Sequence, residues 1–150
     1  MPSMAGPRLH TLILHATDLE RSRRFYGRAL GLPLLHEEPG HVASFAAGGT
    51  TLLLHAAGED ERPPREGEPQ GLLPVLAVDG IDAFVERLRV EGWTIAQDPT
   101  DQPWGEREAC VLDPDGYRVY LVEPLDAGPE VPEPEAREIE DRLRSLGYID

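Results

Sequence analysis

Lysine is absent from this chain. Its 14 basic side chains are all arginine and face 28 acidic ones, leaving a formal net charge of −14 over 150 residues. The exclusive use of arginine reads as genome composition, not function. The shortage of positive charge argues against nucleic acid, whose phosphates would be repelled, and against an anionic membrane surface. It favours a cationic ligand, or else serves only solubility, since much of the acid lies in the C-terminal tail. The single cysteine, Cys110, excludes an internal disulfide. No apolar run approaches the ~20 residues of a membrane helix, and no secretory apolar region opens the chain. The expected location is therefore cytoplasmic. A chain of this length buries roughly 70% of its unfolded surface, so folding requires neither disulfide nor metal.

What is present is punctuated regularly. Leu9 to Ala16 reads as a buried strand, and Thr17-Asp18 ends it and caps the next element. Leu19 to Leu30 has the spacing of a helix with Phe25-Tyr26 and Ala29-Leu30 on one side, and Gly31 stops it. Leu32 to His36 is a short strand, followed by a hairpin of Val42 to Ala47 and Thr51 to Ala56 around Gly48-Gly49. His36 and His41 flank a turn and are expected to be solvated. Gly58 to Gln70 is charged, rich in Pro and Gly and without apolar period, as in a linker.

The pattern then restarts. Leu72 to Val78 reads as a strand, and Gly80 to Glu91 as a helix with Ile81, Phe84, Val85 and Leu88 in one stripe. Trp93 to Ala96 is a strand, Asp98 to Gly105 a loop, and Ala109 to Leu112 and Val119 to Val122 a final hairpin. The order strand, helix, three strands thus occurs twice, which implies an internal repeat. Half of it has too few strands for a stable core. The predicted fold is α+β: two βαβββ modules, 8–57 and 71–124, joined by the linker 58–70 and forming a curved eight-stranded mixed sheet around a cleft. An acidic tail, 125–150, follows. There Pro129, Pro132 and Pro134 interrupt the chain, and a helix with Ile139, Leu143 and Leu146 in a narrow stripe covers part of the sheet or forms a dimer contact.

The final hairpin is the most specific segment. Asp113-Pro114-Asp115-Gly116 is turn chemistry: Pro presets φ, Asp hydrogen-bonds its own backbone and Gly closes the turn. Pro103-Trp104-Gly105, then Arg107, an apolar run and this turn resemble the last hairpin of the vicinal oxygen chelate superfamily, which includes glyoxalase I, extradiol dioxygenases and bleomycin resistance proteins. Leu12 to Leu32 is similar to the opening strand and helix of the same superfamily. The likeness spans roughly residues 8 to 124.

The resemblance implies metal ligands, His, Gln or Glu, at the start of each module and in its last strand. Those positions fall at Thr11, with His10 one place away; at Leu73 or Leu72; at Leu53 or Leu54, with His55 adjacent; and at Tyr120. Apolar side chains cannot replace such donors. A one-residue offset also turns His10 to the other face of its strand unless a bulge intervenes. The expectation is therefore a metal-free protein that binds a small molecule, like the bleomycin resistance proteins, with no cofactor. The resemblance places His15 where relatives carry a substrate-contacting basic residue. Thr11, Ile13 and His15 share one strand face, and Phe45, Leu73, Trp104 and Tyr120 would supply apolar and aromatic walls. A cationic or aromatic guest suits such walls and the acidic field.

Two alternatives stay open. One is a lyase or dioxygenase holding one divalent metal through displaced ligands that include His10 and His55. The other is a metal-free enzyme with His15 or Glu123 as acid–base. Cys110 has no neighbouring base in sequence and reads as structural. No Ser-His-Asp order or phosphate-cradling glycine loop stands out. The resemblance further implies a homodimer.

Overall fold

Alternation of side chains along the first strand sets up everything that follows in the N-terminal half. In β1 (Thr11–Ala16), Leu14 and Ala16 are buried on one face while Thr11, Ile13 and His15 take the other. The same parity governs β4 (Thr50–Ala56), where Leu52 and Leu54 are buried and Thr51, Leu53 and His55 face away from them. The two strands pair in parallel, Thr11 opposite Thr51 and His15 opposite His55. β3 (Val42–Ala47) runs antiparallel to β4, and β2 (Leu34–Glu38) antiparallel to β3, giving the order β1-β4-β3-β2. The structure is a computed structural model and describes residues 6–125 and 133–147.

One face of this sheet is covered by α1 (Leu19–Arg24), which packs on β3 and β4. Asp18 caps it by accepting from the Arg21 N–H at 3.1 Å. The helix continues as a π-helical turn, Phe25–Ala29, in which the Leu30 N–H reaches back to the Phe25 carbonyl. The turn buries Phe25 and Tyr26 completely, in edge-to-face contact at 4.9 Å between ring centres. Gly27 lets the turn sit close on the sheet: a Cβ at that position would lie 3.1 Å from Cε1 of Phe45 and press that ring aside by a few tenths of an ångström.

The described residues fall into two units. The first takes the described residues up to Leu73 together with Leu112–Tyr117, and the second Pro74–Val111 together with the described residues from Arg118 onward. In the second, β5 (Val75–Ala77) pairs in parallel with β8 (Arg118–Pro124). The sheet order is β5-β8-β7-β6, with β7 (Glu106–Leu112) antiparallel to β6 (Ile95–Asp101). α2 (Ile81–Val90) packs on β6 and β8 and buries Ile81, Val85 and Leu88. Phe84, also of the predicted stripe, is part-buried, with the Arg87 guanidinium 4.9 Å from its ring centre. α3 (Glu133–Ser145) completes the unit.

Among the described residues eight strands form in the predicted order, α+β, as two four-stranded mixed sheets with their helices. Boundaries moved where local propensity competed with pairing. The strand expected from Leu72 begins only at Val75, leaving Leu72 and Leu73 exposed. The stretch expected to be a loop from Asp98 is strand as far as Asp101. It accommodates Pro99, which has no N–H to donate, through a register shift between Gln97 and Thr100. Pro129 and Pro132 lie outside the described residues. Ile139 of α3 approaches Gly105, and the Arg142 guanidinium donates to the Pro103 carbonyl, so the helix secures the β6–β7 loop.

Candidate functional site

Parallel pairing in register converts two sequence-distant histidines into neighbours. His15 and His55 stand directly opposite each other on adjacent strands and on the face turned away from α1. Their rings meet edge to face, 5.7 Å apart and inclined at 72°. After β4 the chain turns back: the Ala57 N–H donates to the Ala16 carbonyl and the Gly58 N–H to the Glu61 carbonyl. This turn presents Glu61, whose Oε2 lies 3.5 Å from Nε2 of His15. One donor atom from each of His15, His55 and Glu61 lies within 4.8 Å of the other two. The Nδ1 of His55 is 2.9 Å from the Ala56 carbonyl and donates to it, which leaves the lone pair on Nε2. The His15 side chain is 24% exposed and that of Glu61 72%, so the cluster is reachable from solvent.

The next row of the same face holds the apolar pair Ile13 and Leu53, with the polar Ser44 on the far side of Leu53. The row beyond it is Thr11 and Thr51. Thr11, Ile13 and His15 therefore share a face as the alternation required. Phe45 does not join them. It is 1% exposed on the opposite face, beneath the π-helical turn, because it pairs with Leu52 and shares that residue's parity. Leu73 is half-exposed ahead of β5. Tyr120, in the second unit, alternates with the buried Val119 and Leu121 and pairs with Val75. Trp104 is partly buried in the β6–β7 turn. His10 is exposed and its Nδ1 is 2.6 Å from the Thr11 hydroxyl. The donors grouped with His55 are thus His15 and Glu61, not His10. Glu61 was missed because the linker pattern shows no register. Its one sequence signal is an acid six places after a histidine, across a Gly.

Several other titratable groups make contacts within the fold. Oδ1 of Asp113 accepts from the N–H groups of Asp115 and Tyr117, at 2.8 and 2.9 Å, and Oδ2 accepts the Tyr26 hydroxyl at 2.8 Å. Burial raises the Asp113 carboxyl to about 6, against the lowering effect of those three donors. Burial likewise raises the Tyr26 and Tyr117 hydroxyls and the Cys110 thiol. Asp115 accepts the Thr17 N–H at 3.1 Å, anchoring the Asp-Pro-Asp-Gly turn to the end of β1. Glu123 accepts from the N–H groups of Gly80 and Ile81 and caps α2. Arg107 joins Asp82 of α2 to Asp101 of β6, at 2.9 and 2.8 Å.

Residues 8–121 match the family model described as the glyoxalase/bleomycin resistance protein/dioxygenase superfamily. A lactoylglutathione lyase of Escherichia coli O157:H7 is 33% identical over 131 residues, 80% of this chain and 94% of that protein. Among solved structures, TnmS3, an antibiotic binding protein from Streptomyces sp. CB03234, shares 29% identity with a TM-score of 0.66, covering 81% of this chain and 99% of that one. A glyoxalase/bleomycin resistance protein/dioxygenase from Nocardioides shares 27% identity with a TM-score of 0.65, over 86% and 91% of the two chains.

Proposed function

The chain belongs to the glyoxalase/bleomycin resistance protein/dioxygenase superfamily, and from that premise we propose that it is a small-molecule binding protein that holds its ligand without altering it. The observation that carries this reading is the composition of the helix-free face of the first sheet. The resemblance puts the family's ligand on the last strand of this module at Leu53 or Leu54, which pair with Ile13 and Leu14, and its ligand on the first strand at Thr11. A carbon side chain gives a metal no lone pair, and a hydroxyl is a poor donor beside imidazole or carboxylate. Lewis-acid activation of substrate oxygens at the family's usual centre therefore lacks its ligands, and the residues there do not fit that ion.

What the face offers instead is an apolar pair between a hydroxyl row and an imidazole row, the mixture a small-molecule site uses to gain area and fix orientation. The likeness to an antibiotic binding protein supports the same reading. An aromatic guest carrying positive charge suits it, given a net charge of −14. Glu123 is occupied as a helix cap, which speaks against an acid–base role for it. The homodimer belongs to this proposal, and sedimentation velocity reads it out.

The test is a panel of aromatic antibiotics, cationic and neutral, titrated against the purified protein with tryptophan fluorescence as the readout. Mass spectrometry of the recovered compound then follows. Saturable binding with the compound returned intact supports the proposal. Lactoylglutathione lyase activity, or a chemically changed compound, overturns it.

A further inference from the structure

We propose that His15, His55 and Glu61 form a site for a first-row transition metal ion of the zinc, nickel or cobalt type, displaced from the positions the family resemblance points to and open to an external ligand. The argument starts from register. A parallel pair carries its bonds evenly, so in-register residues on one face of adjacent strands lie roughly 4.8 Å apart along the hydrogen-bonding direction. Placing histidine at both His15 and His55 puts two imidazoles on one such rung. Core packing does not account for His55, which is exposed, or for the face of His15, since the apolar core lies on the opposite face.

The third donor comes from a turn that closes back on the sheet and delivers a carboxylate to the same rung. Tetrahedral ligands ~2.0–2.1 Å from an ion stand roughly 3.3 Å apart. The His15–Glu61 pair is already at 3.5 Å, and the widest separation in the cluster is within 4.8 Å. The wider separations involve His55, and rotation of the exposed His55 and Glu61 side chains would close them.

His55 carries a further mark of a ligand. Its Nδ1–H is bonded to the Ala56 carbonyl, and a backbone carbonyl holding the second ring nitrogen is the usual partner that fixes the tautomer of a metal-bound histidine. Two nitrogens and one carboxylate select borderline metals over magnesium or calcium, which favour oxygen throughout. Three protein donors leave a coordination position vacant, as in sites that accept a ligand from outside. Ile13 and Leu53 form the adjoining row, so a guest lying on them would place a donor group near that position.

The experiment uses the full chain, stripped with chelator and titrated with Zn2+ alone by calorimetry and with Co2+ alone by visible absorption. The expected result is one equivalent of Zn2+ and a Co2+ spectrum of low coordination number. H15A and H55A should each weaken Zn2+ by roughly 100-fold or more, beyond the ~10–100-fold that loss of an outer partner costs. E61Q should weaken it measurably, and H10A should not change it. E61Q alters a side chain that is 72% exposed, which keeps the test valid if a histidine variant folds poorly. Zn2+ affinity unchanged in H15A, H55A and E61Q, or no stoichiometric binding by the wild type, overturns the site. Small-molecule binding measured in the chelator-treated protein is a separate readout, so either proposal can fail without the other.

Discussion

The Tyr26 hydroxyl donates to Oδ2 of Asp113 at 2.8 Å, joining the π-helical turn to a β-turn 87 residues away. Both partners are buried, so neither finds water as a substitute if the other is lost. Tyr26→Phe removes the donor while keeping the ring, and leaves a buried carboxylate short of one hydrogen bond. The expected cost is about 1–3 kcal/mol at neutral pH, read from urea unfolding. A change below 0.5 kcal/mol would show that the pair contributes little.

The same carboxylate gives stability a pH dependence of unusual sign for an aspartate. Its ordinary value is 3.8 and burial raises it to about 6 in the folded chain. The folded state therefore holds the proton more tightly than the unfolded one. The favourable contribution is complete below about pH 4, declines as pH rises to about 6 and is absent above that. At 1.36 kcal/mol per unit, the span amounts to roughly 3 kcal/mol. Asp113→Asn keeps the turn's acceptor oxygen and removes the titration. Subtracting its stability profile from that of the wild type between pH 4 and 7 should give this slope, and a flat difference refutes it.

Glu123→Ala tests the cap on α2. Gly80, with φ at 65°, has no side chain to cap the helix, so the carboxylate from β8 is the side-chain acceptor at its first N–H groups. Losing it should cost about 1 kcal/mol. Small-molecule binding should be unaffected at equal folded fraction, whereas an acid–base role would appear as lost turnover with stability intact.

Ile13 and Phe45 distinguish the two faces of the first sheet. Phe45→Ala empties a fully packed site and should cost about 3–5 kcal/mol, visible as a large fall in the melting temperature. Ile13 is 54% exposed, so Ile13→Ser should shift stability by about 0.5 kcal/mol or less yet weaken small-molecule binding. The reverse pattern would place the binding surface on the helix side.

Much of this molecule is local and so was legible in its order of residues. Asp113 to Gly116 turns because each of its residues favours a turn by itself. Ile81, Val85 and Leu88 face one way because a helix repeats every 3.6 residues. The shared face of Thr11, Ile13 and His15 follows from a period of two. Tertiary structure decided the rest. Parity gives a residue one of two faces but does not name the covered one, and Phe45 went under the helix because its partner Leu52 did. Nothing local pairs His15 with His55 or brings Glu61 to them. That meeting depends on the register of two strands separated by a helix and a hairpin, and packing of the apolar face under α1 sets that register.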